Sequence, residues 1–173
     1  MFRPVEITLE DMLQARDRRF EHECTLLEKY PGNALLVLTI VAPGHEKRNR
    51  ATAIVASAAL KALDRDFDGN IIYSEERDLP TGFERFMVIN LPAAEAKRIA
   101  SAIEDSHPLG RLMDIDIIGD DRRPISRATL GLPPRGCLIC GEDARVCMRA
   151  ARHSYEELLT RISEMTDAYV PDA

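Results

Sequence analysis

Two carboxylates one residue apart, Asp114 and Asp116, stand in the segment Leu112-Met113-Asp114-Ile115-Asp116-Ile117-Ile118. On a strand, alternate side chains point to opposite faces. Met113, Ile115 and Ile117 then make an apolar face. The two aspartates share the other, with Cα atoms roughly 6.5–7 Å apart after two rises of the pleat. Strands disfavour aspartate, and paired negative charges call for a counter-charge. Mg2+ takes hard oxygen ligands and is typically held by one or two carboxylates together with substrate phosphates. The pair therefore reads either as a metal site or as a solvated strand face. Just upstream, His107 and the turn Gly110-Arg111 set cations beside a tight bend, a pattern suited to phosphate.

A second group has the spacing Cys137-x2-Cys140-x6-Cys147-x5-His153. A close pair of thiolates with a third cysteine and a histidine can complete a tetrahedral Zn2+ site. The alternative is a set of reduced thiols, with His153 leading into a final helix. Cys24 stands apart and reads as core. Arg135, Arg145, Arg149 and Arg152 crowd the same region. Arginine forks match phosphate and carboxylate, so this is a docking patch for an acidic partner or a solvated surface. Lys47, just past Pro43-Gly44, is a further phosphate candidate. The chain contains no P-loop, no G-x-S-x-G elbow and no His-Glu-x-x-His motif.

The elements that must position these residues are legible from periodicity and punctuation. Thr8 is expected to cap a helix reaching about Lys29, with Leu9, Leu13, Phe20, Cys24 and Leu27 as its apolar stripe. Ala34 to Ala42 reads as a buried central strand. An alanine-rich helix follows over about 50–65, with Ile54, Ala58 and Leu63 among its buried residues. Strands over about 70–76 and 83–90 flank the turn Leu79-Pro80-Thr81-Gly82, and Pro92 opens a helix to about Glu104. With the aspartate strand, the order is βαββαβ, a ferredoxin-like α+β core over about 34–118 with helices on one face of an antiparallel sheet. Pro124 to Leu130 reads as a short strand or extended arm. A Cys-rich appendage over about 132–170 ends in a helix from Ser154 to Ala168, opened by the capping box Ser154-x-x-Glu157. The whole of 1–173 is read as a single domain.

The balance of 23 basic against 29 acidic residues, a net charge of −6, argues against a general nucleic-acid binder. No run approaches the roughly 20 apolar residues of a membrane span. The start Met1-Phe2-Arg3-Pro4-Val5-Glu6 shows no signal core, so a cytoplasmic location is expected, where four cysteines are thiols or metal ligands.

The run Ser106-His107-Pro108-Leu109-Gly110-Arg111-Leu112 with Asp114-Ile115-Asp116 resembles the holo-citrate lyase synthase family, the apo-citrate lyase phosphoribosyl-dephospho-CoA transferases. So do Leu132-Pro133-Pro134-Arg135 leading into Cys137-x2-Cys140 and Cys147, Ala15-Arg16-Asp17-Arg18-Arg19, and Val41-Ala42-Pro43-Gly44 with Lys47. The likeness spans about residues 8–165. Met113 departs from the family's usual tryptophan, on the presumed core face. The resemblance implies a nucleotidyltransferase. Its donor is 2′-(5″-triphosphoribosyl)-3′-dephospho-CoA, its acceptor a serine of the citrate lyase acyl-carrier (gamma) subunit, and its leaving group diphosphate. It implies Mg2+ on Asp114 and Asp116, with His107, Gly110, Arg111 and Lys47 at the triphosphate and Arg16 and Arg135 at other parts of the donor. Two competing readings are a non-catalytic zinc-containing adaptor for a carrier protein and the same transfer onto the malonate decarboxylase carrier.

Overall fold

The computed structural model describes residues 6–171, so the residues read for a signal core lie outside it apart from Glu6. Five helices and four strands run in the order α1 (Leu9–Lys29), β1 (Ala34–Ile40), α2 (Arg50–Asp66), β2 (Ile71–Leu79), β3 (Gly82–Ile89), α3 (Ala93–Ser106), β4 (Met113–Ile118), α4 (Ala144–Arg149) and α5 (Tyr155–Ala168). The strands form one antiparallel α+β sheet in the order β2-β3-β1-β4. Among the described residues no helix is long and apolar enough to cross a membrane.

β1 is central and covered on both faces, which is why its sequence is a continuous apolar run and not an alternation. On one face Leu36, Leu38, Met87, Ile89, Ile115 and Ile117 pack with α2, α3 and Ile162 of α5. On the other, Leu35, Val37, Phe86 and Val88 receive Leu26 of α1. Both helices of the core, α2 and α3, thus lie on one face of the sheet as expected, and α1, which precedes the core, covers the other. The expected stripe of α1 holds only at its C-terminal end, where Leu27 packs against the sheet and Cys24 is half-buried. Leu9, Leu13 and Phe20 are exposed, whereas Ala15, Arg19, His22, Glu23 and Leu26 turn toward the sheet. Polar residues win this face because the strands below offer them partners: His22 lies 2.8 Å from Glu75, and Arg19 lies 3.5 Å from Glu84.

β4 is an edge strand, and its outer backbone groups need partners. α3 supplies them. The Ile115 N–H donates to Glu104 Oε1 at 3.0 Å, and Lys97 Nζ donates to the Ile115 carbonyl at 3.0 Å. Beyond β4 the described residues make no further strand. Pro124 forms a single bridge with Ile118, and Ala128–Leu130 is one 3-10 turn, in place of the expected strand or arm. Capping boxes at Thr8 and Ser154 open α1 and α5 as their sequences require.

Candidate functional site

The alternation of β4 is as the aspartate spacing demands. Met113, Ile115 and Ile117 are buried, Asp114 is exposed and Asp116 half-buried. Directly opposite neighbours share a face, so the register defines what surrounds the aspartates. Glu84, Thr39 and Asp114 form one row across β3, β1 and β4, and Phe86, Val37 and Asp116 form the next. α1 lies over these rows and brings Glu23 with it. Burial, with Asp116 and Glu84 adding repulsion against Arg19, pushes the Glu23 carboxyl from 4.5 up to about 7. Burial and then Asp114 likewise raise the Asp116 pKa, and burial raises that of Glu84. Sequence reasoning missed Glu23 and Glu84. The only signal for Glu23 was a carboxylate in a helix whose inward face could not be chosen from its pattern.

Asp114 also borders a cleft of about 690 Å3 between the ends of β1 and β4, the 126–135 segment and the Cys-rich segment. Its walls combine Leu132, Pro134 and Leu138 with Arg111, Arg127 and Arg135. Arg135 is latched inward. It donates to Asp114 Oδ1 at 3.0 Å and to the Met113 carbonyl at 2.7 Å, and lies 3.6 Å from Glu104. Arg127 pairs with Glu104 and Asp105, each at 2.8 Å. Glu104, 2% exposed, thus anchors two arginines and a strand edge.

Arg111 differs from both. Its Nε and Nη1 are buried yet have no hydrogen-bond partner among the described residues. Burial, and then neighbouring Arg135, lower its pKa. A buried donor without an acceptor is expensive, so this guanidinium is set for an anion. Gly110, beside it, is required by space: a Cβ there would lie 2.4 Å from the Glu104 carbonyl oxygen.

The remaining predicted residues divide. Lys47 lies beside a neighbouring hollow with Arg19, Thr39 and Glu84 and donates to the Ala42 carbonyl at 2.6 Å. His107 caps the end of α3. Its Nδ1 accepts from the Leu109 N–H at 3.0 Å and its ring tilts against Tyr169, away from the cleft lining. Arg16 is exposed on α1. Cys137, Cys147 and His153 line the cleft, and with Cys140 they form a group able to hold a metal. Arg145, Arg149 and Arg152 are exposed, Arg145 at the margin of the cleft, whereas Arg135 is bonded inward to Asp114.

Fold and site define an α+β protein with an arginine-lined, apolar-walled cleft set beside a face of crowded carboxylates. The profile of the apo-citrate lyase phosphoribosyl-dephospho-CoA transferases matches residues 7–169, and the chain belongs to that family and is a transferase. A probable apo-citrate lyase phosphoribosyl-dephospho-CoA transferase of Streptococcus pyogenes serotype M18 is 38% identical over 167 residues, 94% of this chain and 87% of that protein. One of Vibrio cholerae serotype O1 is 35% identical over 174 residues, 95% of this chain and 94% of that protein. Protein CitXG of Haemophilus influenzae is 35% identical over 163 residues, 92% of this chain and 35% of its own length.

Proposed function

We propose that this chain attaches phosphoribosyl-dephospho-CoA to a serine of the citrate lyase acyl-carrier subunit, taking it from 2′-(5″-triphosphoribosyl)-3′-dephospho-CoA in a cytoplasmic setting. The observation that carries this reading is the unpartnered Arg111 guanidinium, buried in an apolar-walled cleft that Asp114 also borders. A polyphosphate with long organic arms needs such a combination: fixed cations for the phosphates and apolar walls for the rest. The serine oxygen attacks the phosphorus that carries the ribosyl group. Its proton passes to a carboxylate, and the bond to the departing diphosphate breaks as that group takes the electron pair. Glu23, beside Asp116 beneath α1, is the candidate proton acceptor; without the metal, burial raises its carboxyl to about 7. Arg111, with the unused Nε donors of Arg127 and Arg135, faces the growing charge on the diphosphate.

Asp114 and Asp116 fit a hard divalent cation. They share a strand face, and Asp116 accepts no hydrogen bond among the described residues while its charged form is disfavoured. Mg2+ held there would supply positive charge to the donor's phosphate oxygens. Within the chain, the strand order β2-β3-β1-β4, with β3 between the two strands that α2 joins, supports a ferredoxin-like core carrying a Cys-rich appendage in one domain.

Incubating the protein with apo-carrier, Mg2+ and the triphosphoribosyl donor should add the prosthetic group's mass to the carrier serine. Asp114→Asn, Asp116→Asn and Arg111→Met should each lower the rate by about 100-fold or more, the typical loss for one transition-state contact. Their thermal melts should stay cooperative. Rates near the unaltered protein's in all three, or mass appearing only on the malonate decarboxylase carrier, would sink this assignment.

A further inference from the structure

The stretch from residue 131 to 160 holds a defined path with almost no core of its own. Cys147 alone among these residues is buried, and α4 within it is a single short helix of six residues. Its backbone pairing is local, in tight turns and short helices, with one isolated bridge joining Gly136 to Asp143 and the Ala144 N–H donating to the Arg135 carbonyl at 2.9 Å. Hydrophobic burial cannot order such a segment, and small elements of this kind need a cross-link. All four cysteines of the chain are free, so no disulfide supplies one.

Four soft or borderline donors converge where that cross-link is missing. The sulfurs of Cys137, Cys140 and Cys147 and a ring nitrogen of His153 all lie within 4.8 Å of one another. Cys140 Sγ is 3.4 Å from Cys147 Sγ and 3.4 Å from His153 Nε2. A tetrahedral ion with bonds of about 2.3 Å to sulfur and 2.0–2.1 Å to nitrogen places its ligands about 3.8 Å and 3.6 Å apart. The observed separations are close to these and far beyond the ~2.05 Å of a disulfide.

The backbone around the first pair is shaped for the same purpose. The Ile139 N–H points at Cys137 Sγ at 3.5 Å, and the Gly141 N–H donates to the Cys137 carbonyl at 3.2 Å. Gly141 takes φ +77°, which lets the chain turn back immediately after Cys140. Three thiolates and a neutral imidazole around a divalent ion leave one net negative charge. The Arg152 guanidinium, hydrogen-bonded to Cys140, stands there to offset it.

We propose that Cys137, Cys140, Cys147 and His153 bind one Zn2+ as a closed structural site, and that this ion holds the Arg135 wall of the cleft against β4. Three thiolates with imidazole in a tetrahedron select zinc over harder ions. Four protein ligands leave no open position, so the ion takes no part in the chemistry. Arg135 is two residues before Cys137, and its contacts with Asp114 and Met113 depend on where the knuckle is pinned.

Elemental analysis of the purified, unaltered chain should find about one zinc per chain. Replacing the ion with Co2+ should produce the strong visible bands of tetrahedral thiolate-bound cobalt, and Cys140→Ser or Cys147→Ser should weaken or remove them. Stripping the metal with a chelator should make residues 131–153 the first site of proteolytic cleavage. Zinc below about a tenth of the four-ligand stoichiometry, iron in its place, or cobalt bands unchanged in both variants would overturn the site. Cleavage that stays elsewhere after chelation would overturn the strut role. None of these readouts uses transfer activity, so they stand apart from any failure of the proposed reaction.

Discussion

Replacing Glu23 by Gln keeps the side chain's size while removing its charge, and so tests whether the carboxylates beneath α1 are held together against their own repulsion. In the folded protein Glu23 keeps its proton up to about pH 7, whereas a free glutamate loses it near 4.5. Between those values the folded state binds more protons than the unfolded state, so this group's contribution to stability falls as pH rises. The full difference corresponds to roughly 3 kcal/mol by pH 8. Solvent screening at a half-buried position reduces it to about 1–2 kcal/mol. Glu23→Gln should therefore be the more stable protein at pH 8 by about 1–2 kcal/mol, with the two converging below about pH 4.5. Urea melts at several pH values, run with chelator present, measure this directly, because a cation at Asp116 would draw the Glu23 pKa back down. If Glu23 takes the serine proton, kcat should fall while the donor KM stays in place. A stability difference that does not change between pH 4.5 and 8 would refute the electrostatic reasoning.

Gly110→Ala should destabilise the fold by about 1–3 kcal/mol or more, because the added Cβ meets backbone oxygens of Glu104 and Ile103 that cannot swing away. A melting temperature equal to the unaltered protein's would show that this turn relaxes freely. Arg145→Glu combined with Arg149→Glu should raise the carrier KM and weaken its salt dependence, since both residues are exposed and an acidic carrier would face them. Arg152 is left intact in that variant because it touches Cys140. Should the donor KM rise and the carrier KM hold, those arginines serve the phosphates.

What could be read in the chain was what short-range rules govern. Strand alternation put Asp114 and Asp116 on one face opposite Met113, Ile115 and Ile117, and the structure keeps that division. Continuous apolarity marked Ala34 to Ala42 as a buried central strand, which the structure forms over Ala34–Ile40, and capping chemistry located the starts of α1 and α5. The spacing of three cysteines and a histidine singled out a group whose donor atoms the fold brings together. These features depend on residues a few positions apart, and backbone geometry alone relates such residues.

Tertiary packing decided the rest. The sequence of α1 carries an apolar stripe through Leu9, Leu13 and Phe20, yet the helix turns a different side to the sheet because Glu75, Glu84 and Phe86 give Arg19 and His22 partners there. Only that rotation brings Glu23 over Asp116. Arg111 and Arg135 are alike in sequence, both set among loop residues. Arg135 is tied to Asp114 and the Met113 carbonyl while Arg111 is left unpartnered, because the fold brings residue 135, far along the chain, against the start of β4. Glu104 and Lys97 read as ordinary polar positions of an amphipathic helix, and became structural when β4 proved to be an edge strand with open backbone groups. Local pattern determined which residues carry the chemistry. Which of them meet, and which are left without a partner, depended on distances between segments far apart in the chain, and no period in the sequence encodes those.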